Sequence, residues 1–270
     1  MTAIFGGIAA LSMLGIDTNE VHAQAEDFYV RKVESLNPDF IKGVDISTLI
    51  AQENSGVKYF DAEGNQQDIF DIFKANGVNY VRIRVWNNPK NEQNQGYGAG
   101  NVDLQVAKTI GRRATKAGMK VLIDFHYSDF WADPGRQIPP KAWQSMDLST
   151  KSQALYQYTK DSLTELLNAG VDVGMVQVGN ETTSSGLCGE AGEGRYTLFA
   201  QGSKAIREVS QAFNHPMLVA LHFTNPEKTS TILNYAHELS NHQIDYDVFA
   251  TSYYSFWHGT LANLTDVLKT

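Results

Sequence analysis

Asp172-Val173-Gly174-Met175-Val176-Gln177-Val178-Gly179-Asn180-Glu181 decides the fold. It starts as a Val-rich apolar run of strand length. It stops abruptly in Gly-Asn-Glu, ahead of the polar, Gly-rich stretch Thr182 to Gly194. A strand apolar on both faces belongs inside a parallel sheet with helices on either side. In such sheets the chemistry gathers just beyond the carboxyl ends of the strands. Glu181 falls there and is the first candidate for a catalytic group.

Outward from that strand, one unit recurs. Ala75-Asn76-Gly77 precedes the run Val78 to Trp86, Lys116-Ala117-Gly118 precedes Met119 to His126, and Asn168-Ala169-Gly170 precedes Val171 to Val178. A glycine after a helix takes the left-handed conformation that closes the last turn. The segments before these glycines carry helical period, with Leu104, Ala107, Ile110, Gly111, Ala114 and Ala117 on one face. The spacing predicts helices over 67–76, 103–117, 151–169, 196–213 and 229–240. Strands are expected over 40–46, 78–86, 119–126, 171–178, 217–222 and 246–254. Leu261 to Lys269 reads as the opening of a sixth helix.

That is α/β, with about six βα units in one domain spanning residues 26–270. A (β/α)8 TIM barrel, incomplete because closure takes eight strands, is the expected fold. A six-strand doubly wound sheet is the alternative, but no Gly-x-Gly-x-x-Gly follows the first strand. The 42% apolar content can fill a large core, and a net charge of −8 speaks against a nucleic-acid partner. No run is long enough to span a membrane in a mature protein. Residues 1–25 read as a signal peptide lacking its basic start: Ala3 to Ile16 is apolar, and Val21-His22-Ala23 is a small-x-small cleavage pattern. Secretion to the extracellular space follows as an expectation. Cys188 is the single cysteine, so no intrachain disulfide forms.

Each strand ends in chemistry. The first ends near Asp45, and the second carries Arg82, Arg84 and Trp86 at one parity. The third runs into Asp124, His126, Asp129 and Trp131, and the fourth into Asn180 and Glu181. The fifth ends at His222, and the sixth at Ser252, Tyr253, Tyr254, Trp257 and His258. Acids, amides, histidines and aromatics gathered at one rim suit a sugar, whose CH faces stack on aromatic rings and whose hydroxyls take polar partners. Trp86, Trp131 and Trp257 are candidate stacking platforms, though a core aromatic explains any one of them as well.

Glycosidic cleavage needs one carboxyl to protonate the leaving oxygen and a second to attack or to activate water. Glu181 fits the acid role, and Asn180 beside it can bond the sugar 2-hydroxyl. Asp124, His126, Asp129 and His222 could also be imagined around a metal. Their spacing matches no compact zinc motif, so metal and other cofactors are not expected.

On these residues the chain resembles glycoside hydrolase family 53, the arabinogalactan endo-β-1,4-galactanases, in particular secreted bacterial members. The matching pieces are Phe40 to Ser47, Gly77 to Asn87, Asp124 to Pro134, Val176 to Thr182, Ala220 to Pro226 and Tyr246 to Gly259. Asp-Phe-His-Tyr-Ser-Asp-x-Trp-Ala-Asp-Pro is the most specific of them. The resemblance implies a (β/α)8 barrel and a retaining double displacement on β-1,4-galactan, a polysaccharide of pectin side chains, by a monomer. It implies Glu181 as general acid/base, with Arg82, Asn180, His222 and Tyr254 supporting it. Arg84 competes with Arg82, and Tyr253 with Tyr254, because strand parity does not decide between them. The family's nucleophile is a glutamate ending the seventh strand, and the calcium site of some bacterial relatives lies near the eighth. The sequence stops before both, so a C-terminally truncated fragment, inactive by itself, is expected.

Overall fold

The computed structural model describes residues 33–269, so the signal-peptide reading of residues 1–25 lies outside the described residues. The chain divides into two compact units at the boundary between Phe40 and Ile41. In the first, the described residues form two turns, closed by Leu36 N–H to Val33 O at 3.3 Å and Phe40 N–H to Asn37 O at 2.9 Å.

The second unit carries six parallel strands in sequence order: β1 (Gly43–Asp45), β2 (Tyr80–Val85), β3 (Lys120–Phe125), β4 (Val173–Val178), β5 (Leu218–Phe223) and β6 (Val248–Thr251). Helices lie between them: α1 (Leu49–Asn54), α2 (Ile69–Ala75), α3 (Leu104–Lys116), α4 (Leu148–Asn168), α5 (Glu193–Phe213) and α6 (Thr229–Asn241), with α7 (Leu261–Lys269) after β6. A two-strand antiparallel ladder, Tyr59–Phe60 with Gln66–Gln67, stands apart from the sheet. A parallel sheet in sequence order with alternating helices is an incomplete (β/α)8 barrel.

Every expected strand and helix is present, and the differences are at their ends. Helix α4 starts at Leu148 rather than Lys151 because Asp147 caps it, accepting from Thr150 N–H at 2.8 Å. Strand β6 is four residues rather than nine, since β5 offers it partners only from Ala220 to Phe223. The six-residue α1 was not expected; it buries only Leu49, too little for a periodic signal. Gly77, Gly118 and Gly170 close their helices at φ +76°, +86° and +78°.

The strands have two different faces. Val81, Ile83 and Val85, Val121, Ile123 and Phe125, and Val219, Leu221 and Phe223 are wholly buried in one core with Ala107, Ile110, Leu155 and Leu163 of the helices. Each such aliphatic side chain contributes about 1.5–3 kcal/mol on burial. The other face has a separate small cluster, Tyr80, Met175 and Ala220, with Leu122 and Val248 packed on it. Two residues further along each strand, at the same parity, stand Arg82, Asp124, Gln177 and His222. Strand β4 is therefore buried throughout but not apolar throughout: Gln177 is the polar exception on its inner face.

Candidate active site

At the end of β4 the backbone is bent for a purpose visible in its contacts. Gly179 sits at φ +84°, and a Cβ there would lie 2.5 Å from Leu187 Cδ1 and 2.6 Å from Thr182 Cγ2, so any side chain would be both strained and crowded. Asn180 follows, its amide orientation set on both sides: Oδ1 accepts from Arg82 Nη2 at 2.9 Å and Nδ2 donates to Ala132 O at 2.8 Å. Glu181 is itself left-handed at φ +47°, and its N–H donates to His222 Nδ1 at 3.2 Å. A non-glycine residue held in that region is strained, and such residues concentrate at functional sites. The Glu181 carboxyl accepts from Ser252 Oγ at 2.6 Å through Oε1. Its Oε2 has no hydrogen-bond partner among the described residues.

Arg82 ties the strand ends together. Its Nη1 donates to Asp45 Oδ2 at 2.7 Å, and Nη2 donates to Asp124 Oδ2 at 2.6 Å as well as to Asn180. Asp124 is fully buried; its Oδ1 accepts from Gln177 Nε2 at 2.7 Å and its Oδ2 also meets His126 Nε2 at 3.0 Å. Burial alone would raise the Asp124 pKa, but Arg82, His126 and His222 around it outweigh that and hold it below the usual carboxylate value. Burial works against the Arg82 charge too, and Asp124, Asp45 and Glu181 outweigh it, so its pKa is raised.

The two histidines differ. His126 Nδ1 accepts from Ala132 N–H at 3.0 Å and Trp86 Nε1–H at 3.2 Å, which puts its proton on Nε2, facing Asp124. His222 is buried beside Gln177, whose Nε2 lies 3.0 Å from Nδ1, and its Nε2 meets Ser252 Oγ at 2.9 Å. Burial drives its pKa down to about 4, with Asp124 opposing and Arg82 and His126 adding to the fall.

Arg82, Gln177, Asn180, Glu181, His222 and Ser252 form the floor of an open cleft of about 530 Å³. Of the residues singled out in the sequence, Asp45, Arg82, Arg84, Trp131, Asn180, Glu181, His222 and Tyr254 line it. Arg84 does so differently from Arg82: its guanidinium stacks 4.2 Å from the Trp131 ring centre and 4.8 Å from that of Trp86, and it donates to Ala99 O. Trp131, 39% exposed, offers its ring on the cleft wall.

Other residues lie elsewhere. Trp86, expected as a stacking platform, has no exposed surface; it packs edge-on under Trp131 and cannot reach a ligand. His126 is buried behind Asp124. Asp129 gives both oxygens to backbone N–H groups, of Asn88 and Lys141, each at 2.9 Å, and so ties two loops together. Tyr253 turns away, donating to Gly259 O at 2.8 Å, while Tyr254 faces the cleft. His258 is buried in that same loop and accepts from Tyr254 N–H at 3.1 Å, and Trp257 is 77% exposed off the cleft. Cys188 is buried, with its thiol pushed up to about 12, which makes it a poor nucleophile.

Three residues of the site were not singled out as ligands of a sugar: Asp124, Gln177 and Ser252. Gln177 had a signal, the lone polar side chain in an apolar strand. Ser252 had parity, two residues beyond Ala250 on the inner face of β6. Among the described residues no group of three or more His, Cys, Asp or Glu side chains is placed to hold a metal.

Residues 41–270 match the glycosyl hydrolase family 53 pattern. The chain belongs to glycosyl hydrolase family 53. It is 56% identical over 250 residues to an endo-β-1,4-galactanase of Bacillus subtilis, a match covering 91% of this chain and 56% of that protein. An arabinogalactan endo-β-1,4-galactanase of Cellvibrio japonicus is 38% identical over 82% of this chain and 58% of its own length. The family 53 catalytic domain of Ignisphaera aggregans superposes with a TM-score of 0.83 at 35% identity, covering 89% of this chain and 66% of that one. This family 53 chain thus spans rather more than half the length of these curated relatives.

Proposed function

We propose that the protein carrying this chain is an endo-acting, retaining glycoside hydrolase that cleaves β-1,4-galactan, as in the arabinogalactan side chains of pectin. The observation that carries the reading is the Glu181 carboxyl, anchored through Oε1 by Ser252 with Oε2 unpartnered on the cleft floor, beside an Asn180 amide oriented by Arg82. Membership of family 53 and the names of its relatives supply the linkage and the sugar. Glu181 protonates the leaving oxygen and later takes a proton from water. Asn180 holds the sugar 2-hydroxyl, and Trp131 and Tyr254 stack on sugar faces.

A double displacement also needs a nucleophilic carboxylate about 5–5.5 Å from the acid. The other acids of the cleft are committed: Asp45 to Arg82 and Ser47, and Asp133 Oδ1 to Gly135 N–H at 2.8 Å. The nucleophile is proposed to come from a seventh βα unit of the longer protein. For the 270-residue chain by itself these commitments favour a second reading, a galactan-binding module without turnover. Export from the cell as a monomer goes with either reading.

The test is release of reducing ends from β-1,4-galactan by the protein extended through two further βα units. Glu181→Gln is expected to lower the rate ~10²–10⁴-fold on substrates with poor leaving groups. Undiminished activity would overturn the acid assignment. Calorimetric binding of galacto-oligosaccharides without turnover by the shorter chain is the outcome expected of the second reading.

A further inference from the structure

We propose that Ser252 is a positioning residue that, aligned by the tautomer of His222, fixes which oxygen of Glu181 carries the transferred proton. The proposal rests on the acid role of Glu181 and concerns how that role is enforced.

The argument starts from a donor that cannot be reversed. The backbone N–H of Glu181 points at His222 Nδ1 from 3.2 Å. A proton on Nδ1 would face that N–H directly. Gln177 Nε2, at 3.0 Å from the same nitrogen, is also a donor, since its Oε1 lies toward Arg82 Nε at 3.4 Å. Asn180 Oδ1, at 3.1 Å, is the acceptor near Nδ1 among the described residues, but a ring proton directed at it would leave the Glu181 N–H facing another N–H. Nδ1 is therefore the acceptor, and the ring proton sits on Nε2.

From there the direction propagates. Nε2–H donates to Ser252 Oγ at 2.9 Å, which leaves the single hydroxyl proton free to donate to Glu181 Oε1 at 2.6 Å. With Oε1 held as an acceptor, the carboxyl proton goes to Oε2, the oxygen without a hydrogen-bond partner among the described residues. In the chemical step the Oε2–H bond breaks, the proton passes to the departing glycosidic oxygen, and the bonding pair stays on Glu181 as carboxylate charge. The Ser252 hydroxyl already points at that charge and needs no reorganisation. The charged and titratable groups around the relay are Asp45 from β1, Arg82 and Arg84 from β2, Asp124 and His126 from β3, Asp133 from the loop after β3, and Tyr254 from the loop after β6. None of them bonds Ser252 Oγ, so the direction is set by His222 and Glu181.

The experiment uses ¹⁵N-histidine NMR on the 270-residue chain together with kinetics on the extended protein. The wild-type spectrum is expected to show His222 protonated on Nε2 and bare on Nδ1. S252A should keep that tautomer, because the Glu181 N–H still faces Nδ1, while the Nε2 proton exchanges faster with water. S252T, which keeps the hydroxyl, should restore slow exchange. In kinetics, losing one hydrogen bond to a charged group corresponds to ~10–10²-fold in kcat on galactan, with KM little changed. The loss should be small on aryl galactosides with good leaving groups, and S252T should recover the galactan rate. A proton on Nδ1 in the wild type, or an equal loss on both substrates, would overturn the proposal. The NMR result does not need turnover, so the relay and the acid role of Glu181 fail separately: an active Glu181→Gln enzyme with the Nε2 tautomer intact would remove only the latter.

Discussion

His222 should make this fold acid-sensitive well above the range where carboxylates titrate. Its folded pKa is about 4 against 6.5 for the free side chain, with burial as the chief cause. Between those values the unfolded chain binds a proton that the folded chain refuses. Stability is therefore complete above 6.5, falls as pH drops through that value, and stops falling near 4. The gap between 6.5 and about 4, at about 1.36 kcal/mol per pH unit, amounts to about 3 kcal/mol in all. About 2 kcal/mol of this is lost between pH 7.5 and pH 5. Acids held low by their partners, such as Asp124 and Glu165, start from ordinary values of 3.8 and 4.5. Their contributions are lost below pH 5, outside this window. The assay is urea unfolding at about 25 °C across pH 5–7.5 for the wild type and His222→Gln. The wild type should lose about 2 kcal/mol more than the variant on acidification. Parallel pH profiles for the two proteins, or an NMR titration of His222 near 6.5, would refute the reasoning.

Arg82→Met should cost about 3–5 kcal/mol, because it leaves the fully buried Asp124 without its 2.6 Å partner; chemical denaturation measures it, and a loss below 1 kcal/mol would mean the charge is screened another way. Gly179→Ala should destabilise by about 2 kcal/mol or more, since φ +84° and the close approach of Leu187 and Thr182 both oppose a Cβ; an unchanged Tm would show that the turn can relax. Trp131→Ala in the extended protein should raise KM for galactan about tenfold with kcat nearly kept, the result of removing a stacking face; a fall confined to kcat would place the ring's role in the chemical step instead.

The sequence by itself determined the fold and the rim. Val-rich runs of strand length, each preceded by a helix and a closing glycine, leave a parallel βα array as the consistent solution, because apolar period and turn chemistry are local properties that survive without coordinates. Residues at strand ends were legible for the same reason: once β4 is placed, Asn180 and Glu181 must sit at its mouth. Parity along a single strand could not separate Tyr253 from Tyr254, since β6 ends at Thr251 and both tyrosines lie in a loop whose path depends on packing. Nor could it show that Trp86 lies beneath Trp131, or that Asp129 serves two loop amides. Ser252 belongs to the site only because β5 and β6 are neighbours and bring it within hydrogen-bond reach of His222 and Glu181 together. Contacts of that kind join residues 30 and 71 positions apart in the chain. They are decided by the register between strands, which only the tertiary structure contains.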